Sequence, residues 1–378
     1  MNCPVCDGVG ITFTYKRGVT CPTCKGSGKA KDQPVRKYKI AIVGETWTDS
    51  ESAMMMPFVG SHGDLLNELL AEAGIDREDC YCTTVFPFTI QPRNDIEFIC
   101  TTKKESHVPM PDLRRGKYLQ DKYFHHVQRL WTELESIRPN VVLALGPAAL
   151  WALTGNAAVK SLRGTASEAT FGPRGLKIIP TYNIMGIFRD WSMRPVIIAD
   201  FIKTARQAEF PEIRRPSRQI WVEPDIRDID FFYQQHIVPS DKLSVDIETA
   251  HGQITCVGFA PKKDIALVVP FVDYRKANGS YWPTLHQEVL AWKRIRMMLQ
   301  HYENPEIRII GQNFLYDINW LWTLMGMPPR NFLSDTMLKH HAMQMELEKG
   351  LGFLGSIYTD EPAWKIMRKS TDSTKRGE

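Results

Sequence analysis

Asp246 and Glu248 stand two apart in the apolar run Leu243-Ser-Val-Asp-Ile-Glu248, and Asp317 closes the segment Gly311-Gln-Asn-Phe-Leu-Tyr-Asp317. On a strand, side chains two apart leave the same face, so the first two carboxylates can share one metal ion. Asn313 and Asp317 are four apart, which on a helix sets them one turn apart on one face, the Asn toward substrate and the Asp toward the metals. Mg²⁺ or Mn²⁺ in such a site takes a few carboxylates and completes its shell with water and phosphate oxygens. Two such ions can stabilise both the attacking and the leaving oxygen of a phosphodiester. The three acids thus predict metal-dependent hydrolysis with DNA as partner.

A second set of residues suits a structural metal. Cys3-Pro-Val-Cys6 and Cys21-Pro-Thr-Cys24 have Zn²⁺ spacing, and each pair continues into Gly-x-Gly, giving Cys-x-x-Cys-x-Gly-x-Gly twice. Four thiolates leave no open position, so this zinc would hold a fold together rather than catalyse. The repeat resembles one unit of the cysteine-rich zinc-binding region of J-protein chaperones. Cys80, Cys82, Cys100 and Cys256 read as buried or strand residues.

The elements that must carry these groups read as α/β. Lys39-Ile-Ala-Ile-Val-Gly-Glu45 is a short buried strand ending in a turn, and Gly63 to Gly74 has the pattern of an amphipathic helix. Further strands are expected at Cys80–Val85, Val141–Leu145 and Lys177–Pro180, with a helix between Lys117 and Ile137. Ligands of parallel sheets bind at the carboxyl ends of strands, so Glu45, Thr84, Gly146 and Asn183 should gather at one edge. The stretch from Arg206 to Pro224 mixes Pro, Arg and Glu and reads as a linker. The expected division is a zinc module over 1–34, an α/β domain over 35–210, a linker over 211–223 and a last domain over 224–378.

At 378 residues, with 43% hydrophobic content, the chain can bury two or three cores. A net charge of +4 is too small to identify a nucleic-acid partner by itself. The opening residues lack the charged start and apolar core of a signal peptide, and no apolar run is long enough to cross a bilayer, which predicts a cytoplasmic chain with no membrane partner.

The flanks of the acids carry a resemblance. Ser-Val-Asp246-Ile-Glu248-Thr and Gln312-Asn313-x-x-x-Asp317 resemble the first two motifs of the proofreading 3'→5' exonuclease domain of family A DNA polymerases. Asp335-Thr-Met-Leu and Leu351-Gly-Phe-Leu-Gly-Ser-Ile-Tyr resemble the segments that follow in phage versions. The resemblance implies an RNase H-like fold in which Asp246, Glu248 and Asp317 bind Mg²⁺ or Mn²⁺. The family's third motif, Tyr-x-x-x-Asp, has no counterpart after Asp317, which leaves open a truncated frame or a separate polymerase chain that supplies it.

The middle of the chain resembles the uracil-DNA glycosylase superfamily, nearest its family 4. The carriers are Gly44-Glu45, Pro57-Phe-Val-Gly60, Gly63-Asp-Leu-Leu66, Ala144-Leu-Gly146 and Pro180-Thr-Tyr-Asn-Ile-Met-Gly-Ile-Phe-Arg189, in the family's order. This implies a three-layer α/β/α domain in which Phe58 stacks on an extruded base, Glu45 lies beside the attacking water, and Asn183 to Arg189 enters the DNA groove. Thr84 stands where the family's base-reading Asn is expected, and Asn183 where its His is. The position matching a cluster cysteine is Phe88, so the family's iron–sulfur cluster is not expected here. Together the modules resemble the amino-terminal part of phage-type family A polymerases. Three readings follow: a proofreading exonuclease joined to the glycosylase-like domain, a base-excision glycosylase acting through Glu45 and Asn183, or a non-catalytic DNA-binding accessory subunit.

Overall fold

The computed structural model describes residues 38–301 and 303–362, with the backbone of two short paired strands, β1 (Ile11–Thr14) and β2 (Arg17–Thr20). Cys3, Cys6, Cys21 and Cys24 lie outside the described residues, so the zinc reading rests on their spacing. The rest forms two units, residues 38–215 with 352–362, and residues 216–351.

The first unit is built on the strands β3 (Ile40–Thr46), β4 (Cys80–Phe86), β7 (Val141–Leu145) and β9 (Lys177–Thr181), all parallel, with β8 (Ser167–Glu168) antiparallel at one edge, in the order β4-β3-β7-β9-β8. A two-strand ribbon, β5 (Cys100–Thr101) and β6 (Tyr118–Leu119), sits in the long connection after β4. Strand β7 is Val-Val-Leu-Ala-Leu and buried throughout, as a central strand covered on both faces must be. The short helices α1 (Asp49–Met54) and α5 (Val159–Leu162) lie in connections. The covering helices are α2 (Gly60–Glu72) and α6 (Met193–Gln207) on one face, where Leu66, Leu69, Ile197 and Phe201 pack. On the other are α3 (Phe124–Ile137) and α4 (Pro147–Thr154), with Val127, Leu130, Leu134 and Trp151. This is the three-layer arrangement expected. The helix foreseen after Lys117 begins only at Phe124, because Tyr118–Leu119 pairs with Cys100–Thr101 instead.

The second unit has a six-stranded sheet in the order β10-β13-β12-β11-β14-β15, formed by β10 (Gln219–Trp221), β11 (Lys242–Ala250), β12 (Gln253–Lys262), β13 (Ile265–Pro270), β14 (Arg308–Gly311) and β15 (Phe332–Asp335). Strand β12 runs antiparallel between β11 and β13, while β11, β14 and β15 are parallel. Setting aside the edge strand β10, this is the RNase H-like order, with β11 as the first strand. Helices α7 (Ile226–Phe232) and α8 (Leu285–Gln300) bury Ile229, Phe232, Ile295 and Met298 against Leu243, Val245 and Ile247. Helices α9 (Leu315–Asn319) and α10 (Thr336–Met343) follow β14 and β15. The last described helix, α11 (Leu351–Tyr358), leads out of this unit into the first. There Arg163 and Lys203 donate to Ser356 and Thr359. Among the described residues no helix is long and apolar enough to cross a membrane.

Candidate functional sites

Along β11 the residues alternate, with Leu243, Val245 and Ile247 buried and Asp246 and Glu248 exposed on the opposite face. Pairing of β11 with β14 ends at Ser244–Ile310, so the Ile247 N–H lies past the end of that ladder. Asp317 fills the gap: its Oδ1 accepts the Ile247 N–H at 2.8 Å. Asp317 is only 3% exposed and is seated beside the backbone that separates the other two acids. Burial pushes its carboxyl up to about 6; the charges of Asp246 and Glu248 add to the shift and the Ile247 bond opposes it.

Asn313 does not share a helical face with Asp317. Helix α9 begins at Leu315, and Asn313 is left-handed at φ 54°. The cause is Asp335, whose carboxylate accepts the N–H groups of Asn313 at 3.0 Å and Phe314 at 2.8 Å, and also that of Met337 at 2.8 Å at the start of α10. The turn drives the Phe314 ring into the core above Gly311. Asp335, given no role from sequence, is a positioning residue.

Carboxylate oxygens are the donors that Mg²⁺ or Mn²⁺ takes. Asp246 and Glu248 would hold such an ion, and Asp317 would reach it with the oxygen not committed to Ile247. Among the described residues no three His, Cys, Asp or Glu side chains are spaced to close on one ion as they stand, so the cage is partial. A carboxyl whose folded pKa exceeds its unfolded value of about 3.9 holds its proton more tightly in the folded chain. Stability from this source is therefore gained as pH falls from about 6 toward 4, and above pH 6 the ionised group opposes folding. In EDTA, Asp317→Asn, which keeps an acceptor for Ile247, should raise Tm at pH 7.5, by at most about 3 kcal/mol in stability. The gain should shrink as pH falls below about 6 and vanish below about pH 4; a gain independent of pH would contradict this account.

The second site lies at the carboxyl ends of the parallel strands in the first unit. Glu45 leaves the end of β3 and crosses over Gly146, whose φ is 98° and where a Cβ would sit 2.5 Å from the Glu45 Cδ. Its Oε1 accepts the Ala148 N–H at 2.8 Å in the first turn of α4, and its Oε2 accepts from Asn183 Nδ2 at 2.7 Å. Burial raises the Glu45 pKa, while the Ala148 amide, Asn183 and the Arg114 charge oppose the shift. Asn183 Oδ1 in turn accepts the Met185 N–H at 3.0 Å. Glu45 and Asn183 line a cavity of about 1170 Å³, with Arg93, Arg114, Arg115 and Arg189 among its other walls.

Thr84, expected at this edge, and Phe58, expected to stack on an extruded base, stand behind it. Phe58 is 2% exposed, left-handed at φ 55°, and its ring packs where a Cβ on Gly44 would be, 2.9 Å from Cζ. Thr84 is 1% exposed and its Oγ1 has no hydrogen-bond partner. Neither is among the residues lining the cavity. Phe88 stacks on Tyr123 at 5.6 Å and lies 5.0 Å from the His126 ring, an aromatic cluster with no thiolate at that position. Burial pushes His126 down to about 4. His340 and His341, adjacent on α10, face different surroundings, the first buried and the second exposed.

Glu51 was also missed, although Thr48-x-x-Glu51 is a readable capping-box signal. Thr48 Oγ1 accepts the Glu51 N–H at 3.3 Å and the Glu51 carboxylate accepts the N–H groups of Thr48 and Phe58. Glu51 is fully buried, and its Oε1 is 3.2 Å from His62 Nδ1.

Residues 31–208 match the family model described as the uracil DNA glycosylase superfamily. A type-4 uracil-DNA glycosylase of Thermotoga maritima is 30% identical over 169 residues, covering 44% of this chain and 75% of that protein. A DNA polymerase of Bacillus phage SP01 is 22% identical over 334 residues, which is 82% of this chain but 33% of the polymerase, so the chain spans about a third of that relative's length. Among solved structures, Trypanosoma brucei RNase D in complex with RNA aligns over 40% of this chain and 51% of that one, at 15% identity and a TM-score of 0.31. With three quarters of a type-4 enzyme covered at this identity, and the parallel sheet and Glu45 edge in place, the chain belongs through residues 31–208 to the uracil DNA glycosylase superfamily.

Proposed function

We propose that this chain acts on DNA in replication or repair, removing nucleotides from 3' ends with Mg²⁺ or Mn²⁺ held at Asp246, Glu248 and Asp317, and that its glycosylase-like domain receives an extruded base. The observation that carries the exonuclease reading is Asp317, seated on the Ile247 amide between two other acids, its pKa raised by burial first and by their charges second. A divalent ion relieves that crowding and supplies the Lewis acidity for phosphodiester hydrolysis. The chain's own part is to hold the acids on one strand face and to aim Asp317 from the turn that Asp335 fixes. Superfamily membership and the similarity to a phage DNA polymerase support DNA as the partner. The test is digestion of a 5'-labelled single strand carrying one uracil, in Mg²⁺ and in EDTA. A Mg²⁺-dependent ladder that is lost in Asp246→Ala is the expected result, and an identical ladder in the variant would overturn it.

A second activity, excision of the base itself, is favoured by Glu45, a half-buried carboxylate of raised pKa facing a roomy cavity. A break at the uracil revealed by alkali, absent in Glu45→Ala and insensitive to EDTA, is its signature. Intact DNA in every arm would instead favour a non-catalytic DNA-binding role.

A further inference from the structure

The cavity beside Glu45 has a polar wall that is nearly all spoken for. Asn183 gives its amide to Glu45 and its carbonyl to Met185. Asn94 accepts from the Ile90 N–H at 3.0 Å and donates to the Trp47 carbonyl at 2.9 Å. Thr84, which aligns with a base-reading position, is withdrawn behind the wall. A base entering here would find these groups already engaged, and the arginines are strong donors suited to phosphates.

His62 differs from all of these. It is the third residue of α2, is 6% exposed, and yet lines the cavity. Its Nδ1 is 3.2 Å from Glu51 Oε1, off the best hydrogen-bond direction but facing the carboxylate. Its ring is held from another side by Phe58, with centroids 4.9 Å apart. Burial alone would raise the Glu51 pKa, but the nearby His62 and the Thr48 N–H outweigh it and hold the carboxyl low, and the Phe58 N–H is a further donor to it. An anion at Nδ1 keeps the proton on that nitrogen, and in the neutral ring Nε2 is then a hydrogen-bond acceptor.

We propose that His62 is the residue of this pocket that reads the base, accepting at Nε2 a hydrogen bond from a ring N–H such as the N3–H of a pyrimidine imide. Glu51 is its positioning residue, fixing the tautomer, and Phe58 sets the plane of the ring instead of meeting the base. The inference rests on the reading that the cavity receives a base. It accounts for a glycosylase-like pocket in which Thr84 is withdrawn behind the wall and Asn183 is engaged by Glu45 and Met185.

The test uses the full chain in EDTA and compares free uracil with 3-methyluracil, which lacks the N3–H, in NMR titrations. Wild type should bind uracil about tenfold more tightly, the size of one well-placed hydrogen bond. His62→Phe, which keeps a ring against Phe58, and His62→Ala should both bind the two ligands equally. Discrimination that survives in either folded variant, or wild-type binding that does not distinguish the two bases, overturns the role of His62 alone. Failure of wild type to bind uracil at all overturns the base-pocket reading and this inference with it.

Discussion

Replacing Asp200 with alanine is expected to destabilise the glycosylase-like unit by about 3–5 kcal/mol, because it strands a buried guanidinium. Asp200 is fully buried in α6 and Arg163 is 2% exposed. Arg163 Nε donates to Asp200 Oδ2 at 2.9 Å while Nη2 donates to Oδ1, a bidentate pair, and Thr181 Oγ1 donates to Oδ2 at 2.7 Å. Burial pushes the Asp200 pKa up; Arg163, Thr181 and Lys203 push it back. Without the carboxylate, Arg163 keeps only Ser356 Oγ and the Phe353 ring as partners. Hydrogen exchange of the β9 and α6 amides reports on this unit separately from the other. A loss of protection smaller than about 1 kcal/mol would mean that water reaches Arg163 and the pair is not closed.

The second large effect is expected from a single methyl group. A Cβ on Gly311 would fall within the side chain of Phe314, whose ring is fully buried. The ring cannot swing away without leaving the core, so Gly311→Ala must move the turn that carries Asp317. Overpacking of this kind costs about 1–3 kcal/mol. The larger effect falls on activity: Asp317 would leave the Ile247 amide, and misplacement by about 1 Å costs on the order of 100-fold in rate. Digestion by Gly311→Ala should therefore fall as far as by Asp317→Ala, though every carboxylate is retained. Full activity in Gly311→Ala would show that the seating of Asp317 is not what the reaction needs.

Much of this architecture is written locally. Val141–Leu145 is an unbroken apolar run and became the fully buried β7; the alternation from Leu243 to Glu248 became a strand with acids on one face. What could not be read depends on contacts between distant segments. Asn313 and Asp317 have helical spacing, but Asp335, 22 residues on, takes the Asn313 amide and delays the helix. Phe58 lies in a motif that resembles a base-stacking one, yet the missing Cβ of Gly44 admits its ring to the core. Glu51 and His62 are eleven apart and meet only because Phe58 and Gly63 fold tightly, the Phe58 carbonyl lying where a Gly63 Cβ would be. The clamp of Arg163, Asp200 and Lys203 joins residues too widely separated for any local pattern to reveal.

That clamp also bears on how the chain is made. Lys203, 2% exposed, donates to the carbonyls of Gly164, Ser356 and Thr359, and Arg163 donates to Ser356, 193 residues later in the chain. Ribosomes add about 5–20 residues per second. For on the order of 10–40 s after Arg163 is synthesised, the glycosylase-like sheet is present without the segment that covers two of its cations, while the whole of 216–351 emerges between. The long closure slows the last step of assembly. A nascent chain paused before Ser356 thus carries a first unit still waiting for its final piece.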